Sequence, residues 1–257
     1  MIDSRLIEKY NVACPRYTSY PTVPDWNTTP NKNEWFSLLD QKIGQSEQAK
    51  MSLYIHLPFC ESLCTYCGCN TRITVNHKVE SPYIQTLLKE WEAYVPHLKD
   101  VEIEELHLGG GTPTFFSAHN LKVLIEGILK DVKLSDSYSF SFEAHPHNTT
   151  REHLEVLNGL GFNRLSLGIQ DFDPVVQKAI NRVQSFEEVQ EVVDNAREIG
   201  FKSINFDIIY GLPFQTNEAV RDTIDKVKEP EEQYQVMKKY AEGEYKTLKR
   251  KLKNVPP

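Results

Sequence analysis

Four cysteines fall within ten residues of this chain: Cys60, Cys64, Cys67 and Cys69. Thiolates are ligands for soft metals and for iron–sulfur clusters. The spacing is C-x3-C-x2-C, with Cys69 two residues further on. A structural zinc site takes four closed ligands, usually as two separated pairs. No second pair follows here, and His77 lies outside any compact knuckle. Three thiolates on a tight loop suit a four-iron cluster that keeps one iron open to a substrate or cofactor. A disulfide pair and a zinc knuckle stay as the alternatives.

The elements that must position these thiols can be read around them. Residues 52–57 alternate as a strand does, and Pro58 ends it because proline cannot donate to a ladder. The cysteines are thereby placed on a loop beyond the C-terminal end of a strand, where α/β proteins collect their catalytic groups. A glycine run, Gly109-Gly110-Gly111-Thr112-Pro113, follows the next strand and could bring backbone amides close to a ligand.

The cysteine pattern behind a strand resembles the cluster motif of the radical S-adenosylmethionine superfamily. The longer string HLPFCESLCTYCGCN, together with PRYTSYPT at residues 15–22, is similar to the oxygen-independent coproporphyrinogen III oxidases. The similarity runs from about residue 10 to about residue 229. It implies a 4Fe–4S cluster on Cys60, Cys64 and Cys67, with Cys69 outside the ligand set. It also implies two molecules of S-adenosylmethionine. Tyr54, Gly110 and Glu143 would contact the first. Tyr66, Gly111, Thr112, Gln170, Arg182 and Asp207 would contact the second. Tyr66 stands where some members carry phenylalanine, and both offer a ring face.

The activity implied is anaerobic oxidative decarboxylation of coproporphyrinogen III to protoporphyrinogen IX, fed with electrons by a flavodoxin or ferredoxin. An N-terminal arm carrying Arg16 would cover the site, where a guanidinium fork matches a substrate carboxylate. A haem-binding chaperone of the same superfamily and an inactive truncated fragment are the competing readings. His56, His107, His145 and His147 are expected to be packing or surface residues, and Cys14 a buried free thiol.

The remaining composition excludes several classes. With 257 residues, 40% hydrophobic and 25% charged, the chain has the profile of an ordinary globular protein. A net charge of −7 gives no support for a nucleic-acid surface. There is no run long enough for a membrane span and no signal-peptide core. Clustered cysteines fit a reducing compartment, so a cytoplasmic protein is expected; the expected oligomeric state is a monomer.

Strands at 104–108, 138–143, 164–169 and 203–209 continue the alternation with helices. Ser81-Pro82, Thr149-x-x-Glu152, Asp173-Pro174 and Ser185-x-x-Glu188 mark the helix starts, with a last helix from about Asn217. An earlier helix at 33–43 would carry Trp35, Phe36, Leu39 and Ile43 on one face. The expected fold is α/β, a partial parallel (β/α) barrel of the radical S-adenosylmethionine type with five strands evident and the sixth missing. The expected organisation is an arm and helix at 1–50, the partial barrel at 51–229, and a charged, helix-compatible tail at 230–257. That tail does not match the family, so a C-terminally truncated form is expected.

Overall fold

The computed structural model describes residues 29–228 together with Arg5, Glu8, Lys9, Asp25 and Trp26. The arm at 15–22 with Arg16, the thiol of Cys14 and the tail at 230–257 lie outside the described residues. The chain divides into two compact units, Met1–Ser46 and Glu47–Pro257.

The first unit contains helix α1 (Lys32–Gly44). Asn31 opens it with a reciprocal capping box, its side chain accepting from the amides of Asn33 and Glu34 while Glu34 accepts from the Asn31 amide. Phe36 is buried and Leu39 and Ile43 half-buried, a stripe at helical spacing. Trp35, expected on the same face, is instead 47% exposed because it falls one residue to the side of that stripe.

The second unit is built on strand β1 (Ala49–Leu57). A two-residue ladder of β2 (Phe59–Cys60) and β3 (Arg72–Ile73) follows, and then β4 (Val101–Gly110), β5 (Lys133–Ala144), β6 (Phe162–Gln170) and β7 (Ser203–Ile208). The main sheet has the order β1-β4-β5-β6-β7, with every neighbouring pair parallel. The connections carry α2 (Glu80–Tyr94), α3 (Ala118–Leu129), α4 (Arg151–Gly159), α5 (Pro174–Ala179) and α6 (Phe186–Ile199), and α7 (Asn217–Lys228) follows β7. This sequential parallel order is that of a partial (β/α) barrel. Among the described residues, no helix is long and apolar enough to cross a membrane.

Alternation along the strands separates two faces. In β4, Val101 and Ile103 are buried, then Leu106 and Leu108; an irregularity between Ile103 and Glu105 accounts for the change of phase. The helices bury Ile84, Trp91, Leu121, Leu124, Ile125, Ile128, Leu154, Leu157, Val189 and Val192, and the pairs α2–α3, α3–α4 and α4–α6 pack side by side. The indole of Trp91 donates to the Ile128 carbonyl at 3.1 Å, so burying it leaves no polar atom unpaired.

The opposite face is polar. There Ser52 donates to Glu105 (2.9 Å), His107 meets Ser141 (2.8 Å), and Ser166 donates to Asp207 (2.8 Å). Hydroxyls, imidazole and carboxylates thus run across the inner surface of the sheet towards the strand ends.

Two helix starts differ from the sequence reading. α2 begins at Glu80 behind a 3-10 turn, His77–Val79, whose cap is Asn76, so Ser81 lies inside an existing helix rather than capping it. Glu80 is buried there, accepting from the Ser117 amide (2.8 Å) and the Asn120 side chain (2.7 Å). The box of α4 is formed by Thr150 with His153, one residue later than Thr149 with Glu152. The Thr149 hydroxyl is engaged with the His145 carbonyl (2.8 Å) and Thr114 (3.1 Å). The starts at Asp173 and Ser185 are as read.

Candidate active site

A cavity of about 340 Å³ opens at the C-terminal ends of the strands. Its wall brings together Cys60, Cys64 and Cys67 with Tyr66, Gly110, Gly111, Thr112, Glu143, Gln170, Arg182 and Asp207. Tyr54 is not on that wall. It is 55% exposed on β1, stacked on His107 (centroids 5.9 Å apart) and bonded to His56 at 3.1 Å.

The cysteine loop is shaped by backbone bonds on three sides. Arg72 and Thr74 amides donate to the carbonyls of Pro58 (2.8 Å) and Cys60 (2.9 Å), closing the loop on itself. Gly111 and Thr112 amides donate to Leu57 (2.8 Å) and Phe59 (2.9 Å), joining it to the glycine run. From the far side, the Thr65 amide donates to the Ile180 carbonyl (3.0 Å), and Asn181 donates to that of Leu63 (2.8 Å). Between Cys64 and Cys67 the chain makes a turn, with the Cys67 amide on the Cys64 carbonyl at 3.0 Å. All four thiols are free.

The donor set, three thiols on one cavity wall, has the chemistry of an iron–sulfur ligand set. Among the described residues, no three histidine, cysteine or acidic side chains are gathered closely enough to hold one metal ion. Thiolates bound to three different irons stand further apart than the ligands of one tetrahedral zinc. Cys60, Cys64 and Cys67 share one cavity wall. Burial raises the Cys60 thiol above its usual pKa, against the Thr112 hydroxyl 3.4 Å from its Sγ. Cys69 also lines the cavity but is the exposed member of the four.

The glycine run does something other than offer free amides. The Gly111 amide is taken by Leu57, and that of Gly110 points to Glu143 Oε2 at 3.4 Å. What Gly111 supplies is closeness, because a side chain there would meet the backbone of Pro58 and Phe59.

Charge in the cavity is divided. Glu143 and Asp207 supply carboxylates; Asp207 accepts from Ser166 and from Asn205 (3.1 Å). Arg182 supplies a cation, held by the Gly168 carbonyl (2.8 Å) and the Gln184 side chain (3.2 Å). Such a site is complementary to a ligand that carries both cationic groups and a carboxylate.

Sequence reasoning missed some wall residues. His145 and His147, expected as packing or surface groups, both line the cavity. Their place directly after the third strand of the alternation was the available signal. His145 Nδ1 accepts from the His147 amide at 3.3 Å, which leaves the proton on Nε2. Asn181 and Gly168 are also on the wall, and nothing in their local sequence marks them.

The chain is similar to known proteins along most of its length. The radical S-adenosylmethionine superfamily pattern matches residues 54–227. The oxygen-independent coproporphyrinogen III oxidase of Pseudomonas aeruginosa is 40% identical over 232 residues, 88% of this chain and 49% of that protein. The Helicobacter pylori oxidase is 42% identical over 229 residues, 88% of this chain and 50% of that protein. A solved structure of coproporphyrinogen III oxidase from Escherichia coli, described as a radical S-adenosylmethionine enzyme, aligns with a TM-score of 0.78 at 35% identity, covering 88% of this chain and 50% of that one. The chain spans about half the length of the curated relatives it matches. Matched from residue 54 to residue 227, it belongs to the radical S-adenosylmethionine superfamily, which implies a 4Fe–4S cluster and S-adenosylmethionine as its cofactors.

Proposed function

We propose that this chain carries the cofactor-binding part of an oxygen-independent coproporphyrinogen III oxidase, which converts coproporphyrinogen III to protoporphyrinogen IX in porphyrin synthesis. The observation that carries the reading is the gathering of Cys60, Cys64 and Cys67 with Glu143, Gln170, Arg182 and Asp207 on one cavity wall. The identity to the oxidases supports the substrate class.

In this reading the three thiolates hold the cluster, and Cys69 stays outside the ligand set. Cluster and S-adenosylmethionine together supply one-electron cleavage chemistry that ends in removal of hydrogen from a substrate carbon. The residues of this chain bind and orient. Glu143 and Gly110, with Tyr54 behind them, receive a first S-adenosylmethionine. Tyr66, Gly111, Thr112, Gln170, Arg182 and Asp207 receive a second. The carboxylates face ammonium or ribose hydroxyls, and the guanidinium faces a carboxylate. Leu63, Ile73 and Val183, exposed apolar side chains on the cavity wall, offer a surface for the edge of a tetrapyrrole.

The barrel at 51–229 is the cofactor domain in this proposal, with the arm and helix at 1–50 and the tail at 230–257 as flanking parts. A flavodoxin or ferredoxin supplies electrons to a cytoplasmic monomer. The test is anaerobic turnover with a strong reductant, following 5′-deoxyadenosine and protoporphyrinogen separately. Formation of both, in step, supports the oxidase reading. Haem binding without either product would replace it with a chaperone.

A further inference from the structure

Arg182 is held in a seat built by residues to which neither the superfamily match nor the spacing of the cysteines assigns a role. At the end of β6 the register with β7 shifts between Gly168 and Gln170, and Gln170 takes a positive φ of 64°. At the shift side chains reach the carbonyls of Gly168 and Ile169, that of Ile169 while it also accepts from the Asp171 amide at 2.8 Å. Gln184, only 3% exposed, donates to both through Nε2, each at 3.0 Å. With both amide hydrogens committed to carbonyls, its Oε1 cannot trade places with Nε2 without facing two acceptors. That oxygen therefore points at Arg182, accepting from Nε at 3.2 Å, while Arg182 Nη2 donates to Gly168 at 2.8 Å.

A second buried glutamine locks the first. Gln177, 4% exposed, donates to the carbonyls of Asp171 (2.9 Å) and Gln184 (2.8 Å) and accepts from the Gln184 amide (3.3 Å). Gly168 keeps the space open: a methyl group there would lie 2.7 Å from both Arg182 Nη2 and Gln170 Nε2.

Every group that fixes Arg182 in this seat is neutral. The guanidinium is thus oriented without its charge being cancelled, and its remaining N–H groups are left for the cavity. We propose that Gln184 is a positioning residue which presents Arg182 as a receptor for the carboxylate of an S-adenosylmethionine, with Gln177 and Gly168 completing the seat. The proposal rests on the functional reading above. A glutamate at 184 would pair with Arg182 and cancel the charge that glutamine preserves.

The test is anaerobic equilibrium dialysis of S-adenosylmethionine against cluster-loaded protein, with iron content and thermal midpoint measured on each sample. Arg182→Met, Gln184→Met and Gln184→Glu should each weaken the affected binding step by roughly ten- to hundredfold, the scale of one hydrogen bond to a charged group. Iron content should stay at the wild-type level. The double variant Arg182→Met/Gln184→Met should bind no more weakly than Arg182→Met alone, because Gln184 acts only through Arg182.

Gly168→Ala meets only the ends of two side chains, so it tests the same seat if Gln184→Met fails to fold. Wild-type affinity in the Gln184 variants, or additive losses in the double variant, would overturn the proposal and leave the superfamily cofactor reading intact. Wild-type protein that loads iron but takes up no S-adenosylmethionine would overturn both.

Discussion

Gly111 and Pro58 face each other so closely that a Cβ on Gly111 would lie 2.7 Å from both the carbonyl carbon and the oxygen of Pro58. The obstacle is backbone, which cannot turn aside as a side chain can. Gly111→Ala should therefore push the start of the cysteine loop away from the glycine run. The expected cost is about 1–3 kcal/mol, together with poorer iron retention. Denaturant melts and iron analysis check this; an unchanged midpoint with full iron would show that the contact is dispensable.

Cys69 is the exposed member of the four thiols, and the proposed ligand set leaves it out. In the proposed ligand set Cys60→Ala, Cys64→Ala or Cys67→Ala should abolish stable cluster formation, since each would remove the sole protein ligand of one iron. Cys69→Ala should retain close to wild-type iron and sulfide after anaerobic reconstitution. If Cys69→Ala lost as much iron as Cys64→Ala, the three-ligand assignment would be wrong.

Asp171 is fully buried and accepts from the Asp173 amide (2.7 Å), Gln215 (2.6 Å) and Thr223 (3.3 Å). It thereby ties the end of β6 to α7 and to the turn after β7. Asp171→Ala strands these donors and should destabilise the protein by about 2–4 kcal/mol. Asp171→Asn, which keeps one acceptor, should cost less. Equal midpoints for wild type and Asp171→Ala in urea would contradict this account.

His145 makes stability depend on pH. Burial, then the nearby Arg182 cation and His147, push its pKa down to about 3, with Glu188 acting in the opposite direction. In the unfolded chain it titrates near the usual 6.5. Between those values the unfolded state binds the additional proton, so unfolding free energy falls as pH falls through that window. His145→Asn keeps an acceptor for the His147 amide and should flatten the decline in thermal midpoint from pH 6.5 downwards. Parallel profiles for the two proteins would show that His145 is not the titrating group.

The sheet was legible because each strand is bounded by turn formers and alternates with a helical period; all five main strands lie where the alternation puts them. The cap at Ser185 was equally plain, since Glu188 is the usual reciprocal partner. The cap at Thr150 was not, because His153 returns the bond and Thr149, the more regular-looking candidate, is held by a distant threonine. The cysteine loop and the glycine run, which share the cavity wall, could be found from short spacings. Gln184 could not, since its importance comes from two β6 carbonyls that it meets beside a register shift. The use made of Gly111 was hidden for a similar reason: nothing local says which backbone will press against it.

The clasp on the far side of the cysteine loop has a kinetic consequence. Thr65 bonds to the Ala179 carbonyl across 114 positions, and Asn181 to that of Leu63 across 118. Closing such long loops carries an entropic cost that local turns avoid, and contacts of this separation slow folding. The loop cannot take its final shape until β4, β5 and β6 have been laid down beside β1. A chain emerging from the ribosome will have exposed all four thiols well before their far anchor exists, so the loop reaches its final geometry only at the closing stage of assembly.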